Sequence, residues 1–292
     1  MNKITTFRAT NVQDLDEEQI RGKEDIQQVT EQDDEGRTLQ ETSFLPDGSV
    51  EHIYKYVYNA SGLMVDELLL DEDNEVSEHR SMEYDDSGRL GKEYIHYLDG
   101  TADEIVFSYD QEGRIISKKT TDSDGEAGNY IVIGYEGDRL VSEIEYDIDG
   151  EVLTRRQLIY NDAGSVTEEI VHTPEEYFRH IFDFDEKGRP SVRRRYDTDS
   201  RLMERNTYTY DEDGQLLETM DESASGVQTT FLTYDSAGNV ILQEEKTEEG
   251  ELRSHIDRTY DESNRLLTTT VFIDRPGQQI VPQHYRIRYE YT

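Results

Sequence analysis

The sequence predicts an all-β protein, an antiparallel β-hairpin repeat meander of about 20 strands coiled into a spiral shell or a large closed barrel. Three observations lead there. A phrase of aromatic, acidic, two variable residues and glycine recurs along almost the whole chain. A second turn phrase falls near the middle of each interval. Between the turns, side-chain character alternates from residue to residue, as a strand with two unlike faces requires.

The first phrase reads YNASGL from Tyr58, YDDSGRL from Tyr84, YDQEGRI from Tyr109 and YEGDRL from Tyr135. It continues as YNDAGSV from Tyr160, FDEKGRP from Phe184, YDEDGQL from Tyr210, YDSAGNV from Tyr234 and YDESNRL from Tyr260. Successive spacings are 26, 25, 26, 25, 24, 26, 24 and 26 residues, and a degenerate copy, QDDEGRT from Gln32, lies another 26 upstream. The alternate phrases are LPDGSV at Leu45, DEDNEV at Asp71, LDGTA at Leu98, DSDGEA at Asp122 and YDIDGEV at Tyr146. YDTDSRL at Tyr196, TEEGEL at Thr247 and DRPGQQ at Asp274 complete them. The unit is therefore about 25 residues with two turns, hence two strands.

Each turn has a local mechanism. Asp or Asn at its start can hydrogen-bond nearby backbone, and Gly or Asn supplies the position with positive φ. Such a loop, built on a type I turn, joins antiparallel strands. In the flanks Ile105, Phe107 and Tyr109 share one face. Ile133 with Tyr135, Ile144 with Tyr146, Leu158 with Tyr160, Phe182 with Phe184 and Leu232 with Tyr234 repeat that spacing, and Glu143 and Glu145 fall on the other face.

A flat sheet of this size would be on the order of 95 Å wide, and strand twist forces sheets beyond about ten strands to curl, split or close. The expectation is a coiled sheet with the Tyr, Phe, Ile and Leu face inward and the acidic face outward. No composition shift marks a linker, so residues 1–292 are read as a single β-repeat domain. Within it, 1–31 form an N-terminal cap or degenerate repeat, 32–275 the repeats, and 276–292 a C-terminal cap strand, because repeat arrays need atypical ends.

YTYDEDGQL, MEYDDSGRL and LTYDSAGNV resemble the YD repeats of the RHS and teneurin group. That resemblance covers nearly the whole chain and implies hairpins wound into a hollow shell, with a role in interaction. The repeat here is longer than that family's usual one. The Asp-Pro-x-Gly type motif that closes and cleaves a toxin shell is missing, since no Asp-Pro occurs.

Composition bounds the function. Hydrophobic and charged residues each make up 33% of the 292 residues, and mean hydropathy is -0.89. Twenty Tyr and eight Phe nevertheless argue for a folded chain with thin cores. The net charge of -37 disfavours phosphate backbones and anionic lipid, so nucleic acid and membrane insertion are not expected. It suits a basic protein partner, a saline habitat or plain solubility. There is no Cys, hence no disulfide or thiol chemistry. The first residues hold no apolar signal segment, and no run approaches a membrane span, so a cytoplasmic location is expected, with signal-independent export as the alternative. Oligomeric state is not readable.

Residues with candidate chemistry are few. Asp122 with Asp124, Asp147 with Asp149, Asp197 with Asp199, and Asp211 with Asp213 form DxD turn pairs weakly suggestive of Ca2+, and Asp71 with Asp73 ends in Asn. They lack the further ligands of a calcium loop, and Asp and Gly are themselves the preferred turn residues. The tyrosines could form a sugar-binding ladder, but Tyr is also a good strand residue, and Trp, the strongest stacking platform, is absent. His52, His79, His96, His172, His180, His255 and His284 show no metal-binding spacing, and His172 and His180 flank the irregular turn PEEY. No P-loop, dinucleotide fingerprint or nucleophile elbow occurs. The expected function is a non-catalytic, cofactor-free scaffold for protein–protein interaction. Ligand or Ca2+ binding by the repeats is one alternative. An immunity-type antagonist that neutralises a basic toxin is the other.

Overall fold

A computed structural model describes residues 2–274 and 282–292. The start of the expected C-terminal cap at Pro276, and most of the DRPGQQ phrase, lie outside the described residues. The first elements are β1 (Asn2–Thr10), α1 (Glu17–Arg21), β2 (Asp25–Gln32), β3 (Thr38–Phe44), β4 (Val50–Tyr58) and β5 (Met64–Leu70). Then follow β6 (Val76–Tyr84), β7 (Leu90–His96), β8 (Ala102–Tyr109), β9 (Ile115–Thr121), β10 (Ala127–Glu136) and β11 (Arg139–Tyr146). Next are β12 (Val152–Tyr160), β13 (Val166–His172), β14 (Tyr177–Phe184), β15 (Pro190–Tyr196) and β16 (Leu202–Tyr210). The last are β17 (Leu216–Ser223), β18 (Gly226–Tyr234), β19 (Val240–Thr247), β20 (Leu252–Tyr260), β21 (Leu266–Ile273) and β22 (Gln283–Tyr291). The fold is all-β, an antiparallel meander of 22 strands in one sheet.

Contacts divide the chain into two compact units. One comprises 1–51, 184–193 and 203–292, and the other comprises 52–183 and 194–202. In the first, β16 to β22 pair in sequence, β22 pairs with β1, β1 with β2, and β2 with β3. The last strand thus lies against the first, with Ile4 opposite Tyr291 and Thr10 opposite Tyr285. Neither the first strand nor the last is therefore a free edge: β1 is paired on both sides, by β2 and β22, and β22 by β21 and β1. In the second unit β4 to β14 pair in sequence.

Each hairpin is made by its turn sequence. At Asp85 the backbone N–H of Asp85 donates to the Arg89 carbonyl at 2.8 Å, and the Gly88 N–H donates to the Asp85 carbonyl at 2.9 Å. The Asp85 carboxylate accepts from the N–H groups of Ser87 (2.9 Å) and Arg89 (3.0 Å), satisfying donors that the turn would otherwise strand. Gly88 sits at φ 79°, where an L side chain is strained. A β-bulge between Glu83 and Tyr84 follows from the extra residue.

The register corrects the expected division into one apolar and one acidic face. Ile133 stands opposite Glu143 and Ile131 opposite Glu145, and directly paired residues share a face. Ile131 and Ile133 therefore lie with the two glutamates, while Ile144 and Tyr146 lie on the other side with Val132 and Tyr130; Tyr135, beyond a bulge, is opposite Leu140. The spacing within a strand is right, but the phase reverses from one strand of the unit to the next. Apolar and charged residues consequently occupy both faces.

Little is deeply buried. Among the described residues the buried apolar side chains are Ala9, Val12, Ile20, Leu70 and Val271. Ala9, Val12 and Ile20 form a single cluster where the segment carrying α1 folds onto β1. Asp16 caps α1, accepting from the Gln19 N–H at 2.9 Å while the Gln19 side chain accepts from the Asp16 N–H, a reciprocal capping box. Glu24 and Arg288 tie this segment to β22 at 2.8 Å.

Candidate functional site at the ends of the strands

Alternate turns lie at opposite ends of the strands, and the two ends are built differently. At the first end each repeat tyrosine reaches back one unit. The Tyr109 hydroxyl donates to the Leu90 carbonyl (2.7 Å), Tyr135 to Ile115 (3.1 Å), Tyr160 to Leu140 (2.7 Å), Tyr210 to Pro190 (2.9 Å) and Tyr291 to Leu266 (2.9 Å). In these five cases the residue before that carbonyl is an arginine lying over the same ring, whereas Tyr84, Tyr234 and Tyr260 make the same bond to Met64, Leu216 and Val240, which follow Leu63, Gln215 and Asn239. Guanidinium-to-centroid distances are 5.1 Å for Arg89, 4.5 Å for Arg114, 5.5 Å for Arg139, 4.4 Å for Arg189 and 4.6 Å for Arg265. Except for Arg139, each of these arginines also binds the carboxylate that shapes its own turn: Asp85, Asp110, Asp185 and Asp261 respectively. The tyrosines are thus inter-repeat latches rather than a ligand ladder. Burial pushes the phenols of Tyr109, Tyr210 and Tyr291 above the ordinary range. Hydrogen bonds from the Arg89 backbone and side chain hold Asp85 below it.

At the other end several turn carboxylates, those of Asp99, Asp122 and Asp147 among them, have no cation partner among the described residues. Asp122 accepts the N–H groups of Asp124 (3.0 Å) and Glu126 (2.9 Å). Asp147 does the same for Asp149 (3.0 Å) and Glu151 (2.8 Å), and Asp99 accepts from the backbone and hydroxyl of Thr101. Those bonds hold Asp99 below the ordinary carboxylate range, with the Thr101 hydroxyl as the main cause. The pairings of Asp197 and Asp199 with Arg201, of Glu251 with Arg253 and of Glu222 with Arg205 are exceptions. Apolar side chains also stand in the open here: Leu98 is 83% exposed and Ile148 60%, with Tyr97 at 46%.

The structure places the Asp pairs singled out for Ca2+ on separate turns. The first Asp of each (Asp122, Asp147, Asp197, Asp211) spends its carboxylate on its own turn backbone. Asp124, Asp149 and Asp213 are exposed turn-tip residues. No group of three or more His, Asp or Glu side chains suited to a metal occurs among the described residues. His172 pairs with Tyr177 and His180 with Glu169, an odd number of residues apart along β13, so the two imidazoles stand on opposite faces.

The register assembles a group that the sequence showed only as scattered residues. His79 and His96 are direct cross-strand partners, with ring centroids 4.2 Å apart and nearly parallel. His79 Nε2 meets Asp66 at 2.8 Å, and His96 Nε2 meets the Ser81 hydroxyl at 2.7 Å. Burial, followed by the facing His79, lowers the His96 pKa. The signal was the strand register itself, which spacing alone does not fix. Near this pair a groove is lined by Glu78, Arg80, Ile95, Tyr97, Leu98 and Asp99, with Ile95, opposite Arg80 and Asp103, on the face away from the imidazoles.

Comparison with known proteins adds similarity of a coarse kind. A family model described as "Uncharacterised protein" matches residues 177–292. No curated protein matches the chain. The crystal structure of TcdB2-TccC3-TEV is similar at 14% identity, over 89% of this chain and 15% of that one, with a TM-score of 0.38. For TcdB2-TccC3-Cdc42 the values are 11%, 89%, 19% and 0.39. A porin-like protein from Bacteroides uniformis ATCC 8492 is similar at 11% identity, over 99% of this chain and 96% of that one, with a TM-score of 0.37. The chain spans less than a fifth of the TccC3-containing chains.

Proposed function

We propose that this chain is a non-catalytic acidic scaffold, of the YD/RHS repeat type in its chemistry, that binds a basic protein. The observation that carries this reading is where the charges go. The cations are largely consumed inside the molecule: Arg37, Arg80, Arg89, Arg114, Arg156 and Arg189 all pair with carboxylates of their own chain. The surplus behind the net charge of -37 is left on carboxylates, among them those of the turns from Asp99 to Glu151. Fixed, one-sign charge on a sheet end steers an oppositely charged partner and makes the affinity salt-dependent.

A membrane-spanning barrel is disfavoured on positive grounds. In the second unit one face carries Arg80, Glu93, Lys118, Glu143, Arg156 and Glu169, and the other carries Asp66, Lys92, Glu104, Lys119, Arg155 and Glu168. Neither face can lie against hydrocarbon, where each midplane charge costs about 2–4 kcal/mol.

The reading is tested by affinity purification from the native organism with elution on a salt gradient. It expects a partner protein of basic isoelectric point that elutes as salt rises. A partner of acidic isoelectric point, or retention indifferent to salt, would contradict it. A basic toxin or nuclease in the eluate would select the antagonist form of the same reading.

A further inference from the structure

We propose that the groove formed by Ile95, Tyr97 and Leu98 takes an apolar anchor side chain of a Lys/Arg-rich protein segment; this rests on the basic-partner reading above. Turn tips are normally polar, because solvent surrounds them and nothing is gained by exposing a hydrocarbon. Leu98 breaks that rule in the middle of the turn closed by the Tyr97 N–H on the Thr101 carbonyl at 2.8 Å. At 83% exposed it contributes nothing to the fold. The turns of the first end, DDSG from Asp85 and DQEG from Asp110 among them, show no such residue.

What surrounds Leu98 defines the occupant. Tyr97 is held by its hydroxyl on Asp103 at 2.7 Å, which fixes its ring at one side of the groove. Ile95, the direct partner of Asp103, lies on the same face and completes an apolar and aromatic lining, while the stacked imidazoles of His79 and His96 stand on the other face of the sheet. Around it stand Glu78, Asp99 and Asp103, and Arg80 also lines it. The nearest cations are occupied: Arg80 is bound to Glu93, and Lys92 to Glu104 at 2.7 Å. An apolar patch rimmed by uncompensated carboxylates fits a hydrophobic side chain flanked by Lys or Arg, and it rejects an acidic or purely polar segment.

Two nine-residue peptides test this, one with Phe at the centre of eight lysines and one with Ala there, titrated by fluorescence anisotropy at moderate salt. The wild-type chain is expected to bind the Phe peptide about tenfold more tightly than the Ala peptide, the worth of one partly buried side chain. Leu98→Ser should reduce that ratio to below about twofold while leaving affinity for the Ala peptide unchanged. Leu217→Ser, an exposed leucine near the first end, should leave the ratio intact. Equal binding of the two peptides, or a preference that survives Leu98→Ser, overturns the groove while leaving the basic-partner reading standing. Failure of both peptides to bind overturns both.

Discussion

Gly113 holds φ 82°, and nothing lies within 4 Å of where a Cβ would stand. A Gly113→Ala change therefore meets backbone strain alone. It should cost about 1–2 kcal/mol in urea unfolding without altering the slope of the transition. Asn264, at φ 61° in the equivalent turn position, shows that the repeat needs the left-handed conformation rather than glycine itself. Asn264→Gly should stay within about 0.5 kcal/mol of the parent in the same titration. These roles were legible in the sequence because donor, acceptor and turn fall within five consecutive residues. The partner of Tyr109 was not, since the Leu90 carbonyl it binds lies 19 residues away. Nor was the stacking of His79 on His96, which a one-residue slip of register would abolish.

At the scale of the element, a hairpin is fastened by its own turn and by the tyrosine of the next. A double-mutant cycle on Arg114→Leu and Tyr135→Leu should show a coupling of about 0.5–1 kcal/mol, whereas two non-contacting sites would add independently. The same latch sets a pH limit on each side. A phenol whose pKa is raised by folding binds its proton more tightly in the folded state. Its contribution is complete below the unfolded pKa of about 10 and is lost as pH rises through the folded value. Tyr109, Tyr210 and Tyr291 should therefore let the fold go in alkali. The turn aspartates run the other way. Asp85, Asp185 and Asp261 are depressed, so their contribution is present above the unfolded value of about 3.9 and fades as pH falls through the folded one. Thermal melts across both ranges should show a plateau between them. A midpoint still rising from neutral pH to pH 11 would contradict the latch. The recurrent Arg after the turn Gly, in YDDSGRL and YDQEGRI, was the overlooked signal for it. Its meaning depends on which ring it covers, and that is a property of the folded stack.

For the whole molecule, the sheet count and antiparallel order could be read from the repeat because turn chemistry dictates hairpins one after another. Pairing of β22 with β1 could not, because it joins residues at opposite ends of the chain. A net charge of -37 on so thin a core means strong self-repulsion, and added NaCl should raise the melting temperature by screening it. The central claim is that the uncompensated carboxylates of the second end bind a basic partner. Asp124, Glu126, Asp149 and Glu151 are exposed there, while Asp86, Asp162, Glu186 and Glu212 are exposed at the first end. The most direct test replaces each quartet by the matching amides and titrates both variants with decalysine at about 50 mM NaCl, where screening is modest. Neutralising the second-end quartet should weaken binding at least about fivefold more than neutralising the first-end quartet, although both remove the same charge. Equal losses from the two quartets would mean that charge acts only in bulk, and the account would fail.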